Sequence, residues 1–277
     1  MNAAQKLKAG FLRLAVYAGA VFTAGILLGI MAYMLIKGVP HLTRDLFALK
    51  YNSVNVSLLP ALINTVSMTA LSLLFAVPAG IGAAVYLVEY ARRGSRFVSV
   101  IGVTAETLAG IPSIIYGLFG MLFFVTACGM GVSLIAGALT LAVMILPLIM
   151  RTTEEALRAV PDSYREGSFG LGAGRLRTVF CVVLPAAVPG ILAGVILGIG
   201  RIVGETAALI YTSGTVAEAA TSLSDSARTL SVHMYALSSE GLYVNQAYAT
   251  AVVLLVIVAG INALSLYAAR RLSHGKV

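Results

Sequence analysis

Residues 151–211 read RTTEEALRAVPDSYREGSFGLGAGRLRTVFCVVLPAAVPGILAGVILGIGRIVGETAALIY, and their two halves differ in kind. The first half, to Pro185, is charged, glycine-rich and patterned. The second is an apolar run long enough to cross a bilayer, yet it carries Arg201 and Glu205 near its middle. A charge at that depth is costly and persists where it faces protein or a water-filled path, so the two residues are the first functional candidates.

The composition around this stretch fits a membrane protein. The 277 residues are 59% hydrophobic and 11% charged, with a mean hydropathy of +0.95, which no ordinary soluble domain approaches. Five further apolar runs lie at about 15–36, 59–87, 111–128, 134–150 and 248–268, and the quoted stretch supplies another at 189–211. The first is longer than a signal-peptide core and lacks a cleavage pattern, so it is expected to be retained. Residues 97–128 are too long for one straight span and are interrupted by Glu106, Gly110 and Pro112. They are expected to form a helix at the inner face over 97–110 and then a span, with the break either exposing backbone to a pathway or only kinking a tilted helix.

The net charge of +8 is explained by where the cations fall. Fourteen of the 19 Lys and Arg lie in segments that a six-span topology places inside, including Lys6, Lys8, Arg13, Arg92, Arg93, Arg96, Arg270, Arg271 and Lys276. The expected fold class is therefore an all-α membrane protein with six transmembrane helices and both termini cytoplasmic. It divides into an anchor helix and outer loop (1–57), a membrane-spanning core (58–270) with the loop at 151–185, and a short inner tail (271–277). Cys128 and Cys181 fall at opposite ends of this topology. They give no disulfide or metal site and are expected to be buried apolar side chains.

The inner loop is too patterned to be a floppy linker. The fourth span is expected to stop at Arg151, with a helix-favouring stretch from Thr152 as far as Pro161. Ser163 and Glu166 have capping-box spacing for a new start. Gly170, Gly172 and Gly174 permit a sharp turn before the chain returns to the membrane. Its spacing resembles the EAA loop of binding-protein-dependent ABC-importer permeases: Glu166-Gly167-Ser168, three residues, Gly172, nine residues, then Val182-Val183-Leu184-Pro185. Gly167 and Ser168 replace the two alanines of that pattern, and Val182 its isoleucine. The resemblance implies a type I importer permease fold, in which this loop docks on a cytoplasmic ATPase and passes on its closure. The chain has no G-x-x-x-x-G-K-[ST] phosphate loop, so ATP and Mg would be used by that partner, with no cofactor bound here.

In the last quoted span Gly190, Gly194 and Gly198 recur every four residues, a ladder that lets another helix approach closely. At about 100° per residue Arg201 and Glu205 are expected on the same stripe as these glycines. Arg suits an oxyanion, and Glu205 is expected to pair with it when the path is empty. The segments ETLAGIPSIIYGLFG (106–120) and RIVGETAALIYTSG (201–214) resemble the permeases of phosphate importers, the PstA family. That resemblance implies a homologous second permease (PstC), an ATPase dimer (PstB), a periplasmic phosphate-binding protein (PstS), a lipid setting and no nucleic acid. It makes Arg201 and Glu205 pathway residues, with Arg151 a third candidate that positive-inside anchoring also explains. A permease for sulfate or molybdate is the alternative, and a gradient-driven secondary transporter a more distant one. The segment 212–247 is expected outside, with Leu230, Met234 and Leu237 on the apolar face of a surface helix and His233 at the surface.

Overall fold

The computed structural model describes residues 3–92 and 96–274. Of the expected inner anchors, Arg93 and Lys276 lie outside the described residues, as do the side chains of Lys6, Lys8, Arg270 and Arg271. The regular elements of the described chain are all helices, without strands. In order come α1 (Ala3–Gly38), α2 (Leu59–Val85, prolonged by a π-helical turn Tyr86–Tyr90), α3 (Arg96–Ala109) and α4 (Ser113–Gly120, prolonged by a π stretch to Ala127). Then follow α5 (Leu134–Arg158), α6 (Asp162–Gly170), α7 (Arg175–Thr178), which runs through a π stretch Val179–Val183 into α8 (Leu184–Val203), α9 (Ala207–Thr212), α10 (Leu230–Glu240) and α11 (Val244–His274).

Five continuous helical segments are long and apolar enough to span a bilayer, and α3 with α4, bent apart, gives a sixth where the pair is counted as one span. The break is a bend of 101° at Gly110–Pro112, far beyond a proline kink. Pro112 cannot continue α3, and the Leu108 carbonyl exposed there accepts a hydrogen bond from the Tyr116 hydroxyl at 2.8 Å. One backbone group freed by the break is thus satisfied within the chain.

Close approaches at glycines set the helix directions. A Cβ on Gly137 would meet the Met68 side chain at 2.9 Å, and one on Gly80 would meet Ile149 at 2.9 Å. Since Met68 precedes Gly80 as Gly137 precedes Ile149, α2 and α5 run parallel. Gly190, Gly194 and Gly198 lie against Ala156, Thr152 and Ile149 in reverse order, so α8 runs antiparallel to α5. The glycine ladder is a helix contact, as its spacing predicts.

Met68, Leu141, Met144, Ile145, Ile149, Ile202 and Leu209 form the central core, and a second cluster around Leu87, Leu157, Val183 and Ile191 closes the inner end. By contrast α1 is exposed along most of its described surface from Leu12 on and meets the body chiefly at its outer end. There Gly38 sits against Tyr248 and Val252, and Tyr33 packs edge-on to Tyr248.

Three expectations fail here. The stop at Arg151 is absent: α5 runs on to Arg158 through the stretch expected to favour a helix, because Glu154–Arg158 holds good helix formers and a Glu154–Arg158 pair at 2.6 Å one turn apart. The capping box at Ser163 does not form: α6 starts one residue earlier, directly after Pro161, without a side-chain cap. Cys128 and Cys181 are exposed rather than buried.

Candidate functional site

The span carrying the intramembrane charges is broken between them. Helix α8 ends at Val203, Gly204 to Thr206 leave the helix, and α9 restarts at Ala207. The single stripe for Arg201 and Glu205 is therefore corrected, since helical angles carry across a break no longer. Glu205 turns into the protein, 9% exposed, where its Oε1 accepts from the Ala208 N–H at 3.1 Å in the first turn of α9. Its own carbonyl accepts a hydrogen bond from the Ser231 hydroxyl at the start of α10. A carboxylate at a helix start is stabilised by the free N–H groups there, which explains how this one is held at depth.

Arg201 is left without that partner. It is half-buried and makes no ion pair or hydrogen bond among the described residues, and it lies within electrostatic range of Tyr116 on α4. The break thus leaves an uncompensated guanidinium beside α4, the second half of the other broken span. Here α4 and α9 pack closely: a Cβ on Gly117 would meet Ala208 Cα at 2.8 Å, and Gly120 lies against Thr140 and Thr212. Arg151 is set apart, one helix over, pairing at 3.5 Å with the exposed Glu106 of α3.

Beyond α9 the chain folds back over the outer end instead of lying on its surface. Asn64 of α2 donates to the carbonyls of Glu218 and Arg228 at 3.0 and 3.2 Å and accepts from the Ala220 N–H at 2.9 Å. Thr65 accepts from the Leu230 N–H at 2.8 Å and so caps α10. Consequently Leu230, Val232, His233 and Leu237 are all buried, and the expected surface helix is corrected to a packed one. His233 is fully buried, against the expectation that it lies at the surface. Burial, and then the charge of Arg228, push its pKa down to about 4, and the Val56 carbonyl opposes this only in part. Arg228 Nη1 lies 3.3 Å from His233 Nδ1, which makes Nδ1 the acceptor, while Arg228 Nε donates to Thr215 O at 2.7 Å.

At the inner end the patterned loop forms a pinned hairpin. Arg165 of α6 donates to both oxygens of Glu89 at the end of α2, to the carbonyls of Leu157 and Val160 at 2.9 and 2.8 Å, and to Asp162 at 3.2 Å. Ser168 and Thr178 hydroxyls meet at 2.8 Å and close α6 onto α7. Gly172, with φ +82°, makes the left-handed turn between them that other residues resist.

Glu166 and Gly167 are exposed, and no atom outside the helix lies within 4 Å of a Cβ built on Gly167. Tyr164, Phe169 and Leu171 are also exposed, Leu171 to 92%. Leu184 and Pro185 begin α8 just after the π stretch. Pro185 removes a backbone donor there, and the widened π ladder absorbs the defect. Sequence reasoning missed Arg165 and Glu89. A cation three residues after the acidic start of α6 hints at the first, while the 76-residue separation hides the second.

A helical protein with five continuous spans, a bent helix pair and a broken span meeting beside an unpaired arginine, and a pinned helical hairpin at its inner end, is a membrane permease in class. The chain belongs to the binding-protein-dependent transport system inner membrane component family, whose pattern matches residues 76–274, and it is a multi-pass inner-membrane protein. It is 38% identical over 197 residues to the probable ABC transporter permease protein YqgI of Bacillus subtilis (strain 168), covering 70% of this chain and 67% of that one. It is 41% identical over 154 residues to the phosphate transport system permease protein PstA 1 of Mycobacterium tuberculosis (strain ATCC 25618 / H37Rv), covering 56% of this chain and 49% of the relative. To PstA of Haemophilus influenzae it is 37% identical over 186 residues, 66% of this chain and 65% of that one. The chain thus spans between about half and two thirds of these relatives' lengths.

Its fold is that of type I ABC-importer permeases. A chain of a bacterial alginate ABC transporter, in complex with its alginate-bound periplasmic protein, superposes with a TM-score of 0.70 at 17% identity, covering 98% of each chain. One from the inward-facing MetNI methionine ABC transporter gives 0.65 at 23%, covering 78% of this chain and 95% of that one.

Proposed function

We propose that this chain is the permease subunit of an ATP-driven phosphate importer. The observation that carries the reading is Arg201: a guanidinium held in a span without a carboxylate, where an oxyanion can supply the missing charge. A planar fork of N–H donors binds two oxygens of one tetrahedral anion at once and stays charged throughout. Because Glu205 is occupied at the start of α9, Arg201 stays available in the empty path, and the anion need not displace an internal partner. The likeness to relatives named phosphate transport permeases supports phosphate over sulfate or molybdate.

The chain itself performs no covalent chemistry. A homologous permease completes the path around Arg201, and a periplasmic phosphate-binding protein delivers the anion to the outer end. A cytoplasmic ATPase dimer, using ATP and Mg, docks on the hairpin. Glu166, Gly167, Ser168 and Gly172 present its tip, and Leu184 and Pro185 carry its movement into α8. Exposed Tyr164 and Leu171 supply apolar area for docking. Arg165 and Glu89 make the hairpin move as one piece with α2. Arg151, paired with Glu106, is a secondary pathway candidate at the inner mouth.

The test is radiolabelled phosphate uptake by cells lacking other phosphate importers and carrying the chain with its neighbouring subunits. ATP-dependent uptake that excess sulfate and molybdate fail to inhibit is expected. Uptake of sulfate or molybdate with none of phosphate would overturn the substrate, and uptake that persists without the ATPase but collapses with an uncoupler would overturn the class.

A further inference from the structure

The inner face holds a feature that neither the Arg201 path nor the docking tip uses. A cleft of about 500 Å³ lies between the end of α2 and the hairpin, and four arginines line it (Arg92, Arg158, Arg165 and Arg175) against two carboxylates, Glu89 and Asp162. Both carboxylates are spent on Arg165. Arg158 is spent on Glu154 within its own helix. Arg92 and Arg175 remain, exposed and with no carboxylate among the described residues. The Arg175 guanidinium lies over the Tyr90 ring, 5.3 Å from its centroid, an arrangement that orients the group while leaving N–H donors free. Two unpaired guanidiniums, one two residues past the π-helical end of α2 and one on α7, therefore line one cavity.

We propose that this cleft is a binding site for a phosphate group, supplied by the headgroup of an anionic phospholipid in the inner leaflet or by inorganic phosphate. Guanidinium forks match phosphate oxygens in pairs, and basic pockets between spanning helices on the cytoplasmic side suit lipid headgroups. Val88, Tyr90 and Phe169 give the cleft an apolar side, as a lipid's glycerol and first methylenes require. The occupant would bridge the end of α2 to the start of the α7–α8 helix, beside the Glu89–Arg165 pair. Its presence would stiffen the hairpin against the body. The site is independent of which solute the complex carries.

The test uses the assembled transport complex in nanodiscs of zwitterionic phosphatidylcholine, unmutated and as the R92Q/R175Q variant, with R177Q as a charge control on the same helix outside the cleft. One arm titrates phosphatidylglycerol and the other inorganic phosphate at constant ionic strength, reading the thermal unfolding midpoint and, by native mass spectrometry, the retained ligand. Stabilisation that is weakened about tenfold in R92Q/R175Q and unchanged in R177Q is expected, one charge-assisted hydrogen bond being worth roughly that factor. Only a response that R92Q/R175Q weakens reports on the cleft: to the lipid alone it assigns the headgroup, to phosphate alone the soluble anion, and a response that the double variant leaves unchanged overturns the site. No stabilisation in either arm, or equal loss in R177Q, would overturn the site. Loss of the ATPase from the double variant with both titrations unchanged would also overturn it, and would assign the arginines to protein docking.

Discussion

Arg165 Nη2 donates to Glu89 Oε1 at 2.7 Å, joining the inner hairpin to the end of α2 across 76 residues of sequence. The side chains are 15% and 9% exposed, so removing either leaves a largely buried charge without its counterpart. Arg165→Ala or Glu89→Ala should cost about 3 kcal/mol, and Glu89→Gln less, because it keeps an acceptor for the guanidinium. Hydrogen exchange over residues 157–178 should rise in both alanine variants. Phosphate moved per ATP hydrolysed should fall even where the complex assembles. Unchanged exchange in both would mean that the pair does not hold the hairpin.

The glycine ladder gives an internal contrast. A Cβ at Gly194 would overlap the Thr152 side chain, whereas one at Gly200 finds no atom within 4 Å outside the helix. Gly194→Ala should therefore lower the stability of the purified complex by about 1–3 kcal/mol through overpacking of α5 against α8, and Gly200→Ala should be neutral or stabilising by up to about 1 kcal/mol, since Ala favours the helix and meets nothing. Thermal melts in one detergent decide between them.

His233 makes the outer segment pH-sensitive. Its pKa in the folded protein is lowered to about 4 from an ordinary 6.5, so between these values the unfolded segment binds a proton that the folded one refuses. The stabilisation is complete above pH 6.5 and is lost as pH falls towards 4, with about 3 kcal/mol at stake. Hydrogen exchange over residues 215–240 should rise from pH 7 to pH 5 in the unmutated chain, and this increment should disappear in His233→Gln.

Much of this architecture was legible in local pattern. Gly110 and Pro112 mark the break before α4, and Gly190, Gly194 and Gly198 mark the α5–α8 packing, because backbone clashes and close approach act on the residues that show them. What escaped depended on distant partners or on an unbroken ladder. A helical wheel groups Glu205 with Arg201 only while the helix continues, and Gly204 ends it. The segment at 230–240 looks one-sided in Leu230, Met234 and Leu237. It is buried over more of its circumference because Asn64 and Thr65, far back in α2, fasten the preceding loop beneath it. Arg165 sits within the loop that resembles the family pattern, but its role depends on Glu89, which no local spacing reveals.

The central claim is that Arg201 holds the transported anion, and uptake by Arg201 variants tests it most directly. In cells dependent on this importer, with membrane expression of the subunits matched, Arg201→Ala should lower phosphate uptake at least about a hundredfold, the scale expected when a paired, charge-assisted interaction is removed from a span. Arg201→Lys, which keeps the charge without the fork, should retain part of it, with a raised KM. Glu205→Gln should do less harm than Arg201→Ala, because its amide oxygen still accepts from the Ala208 N–H. Full uptake by Arg201→Ala would contradict the account.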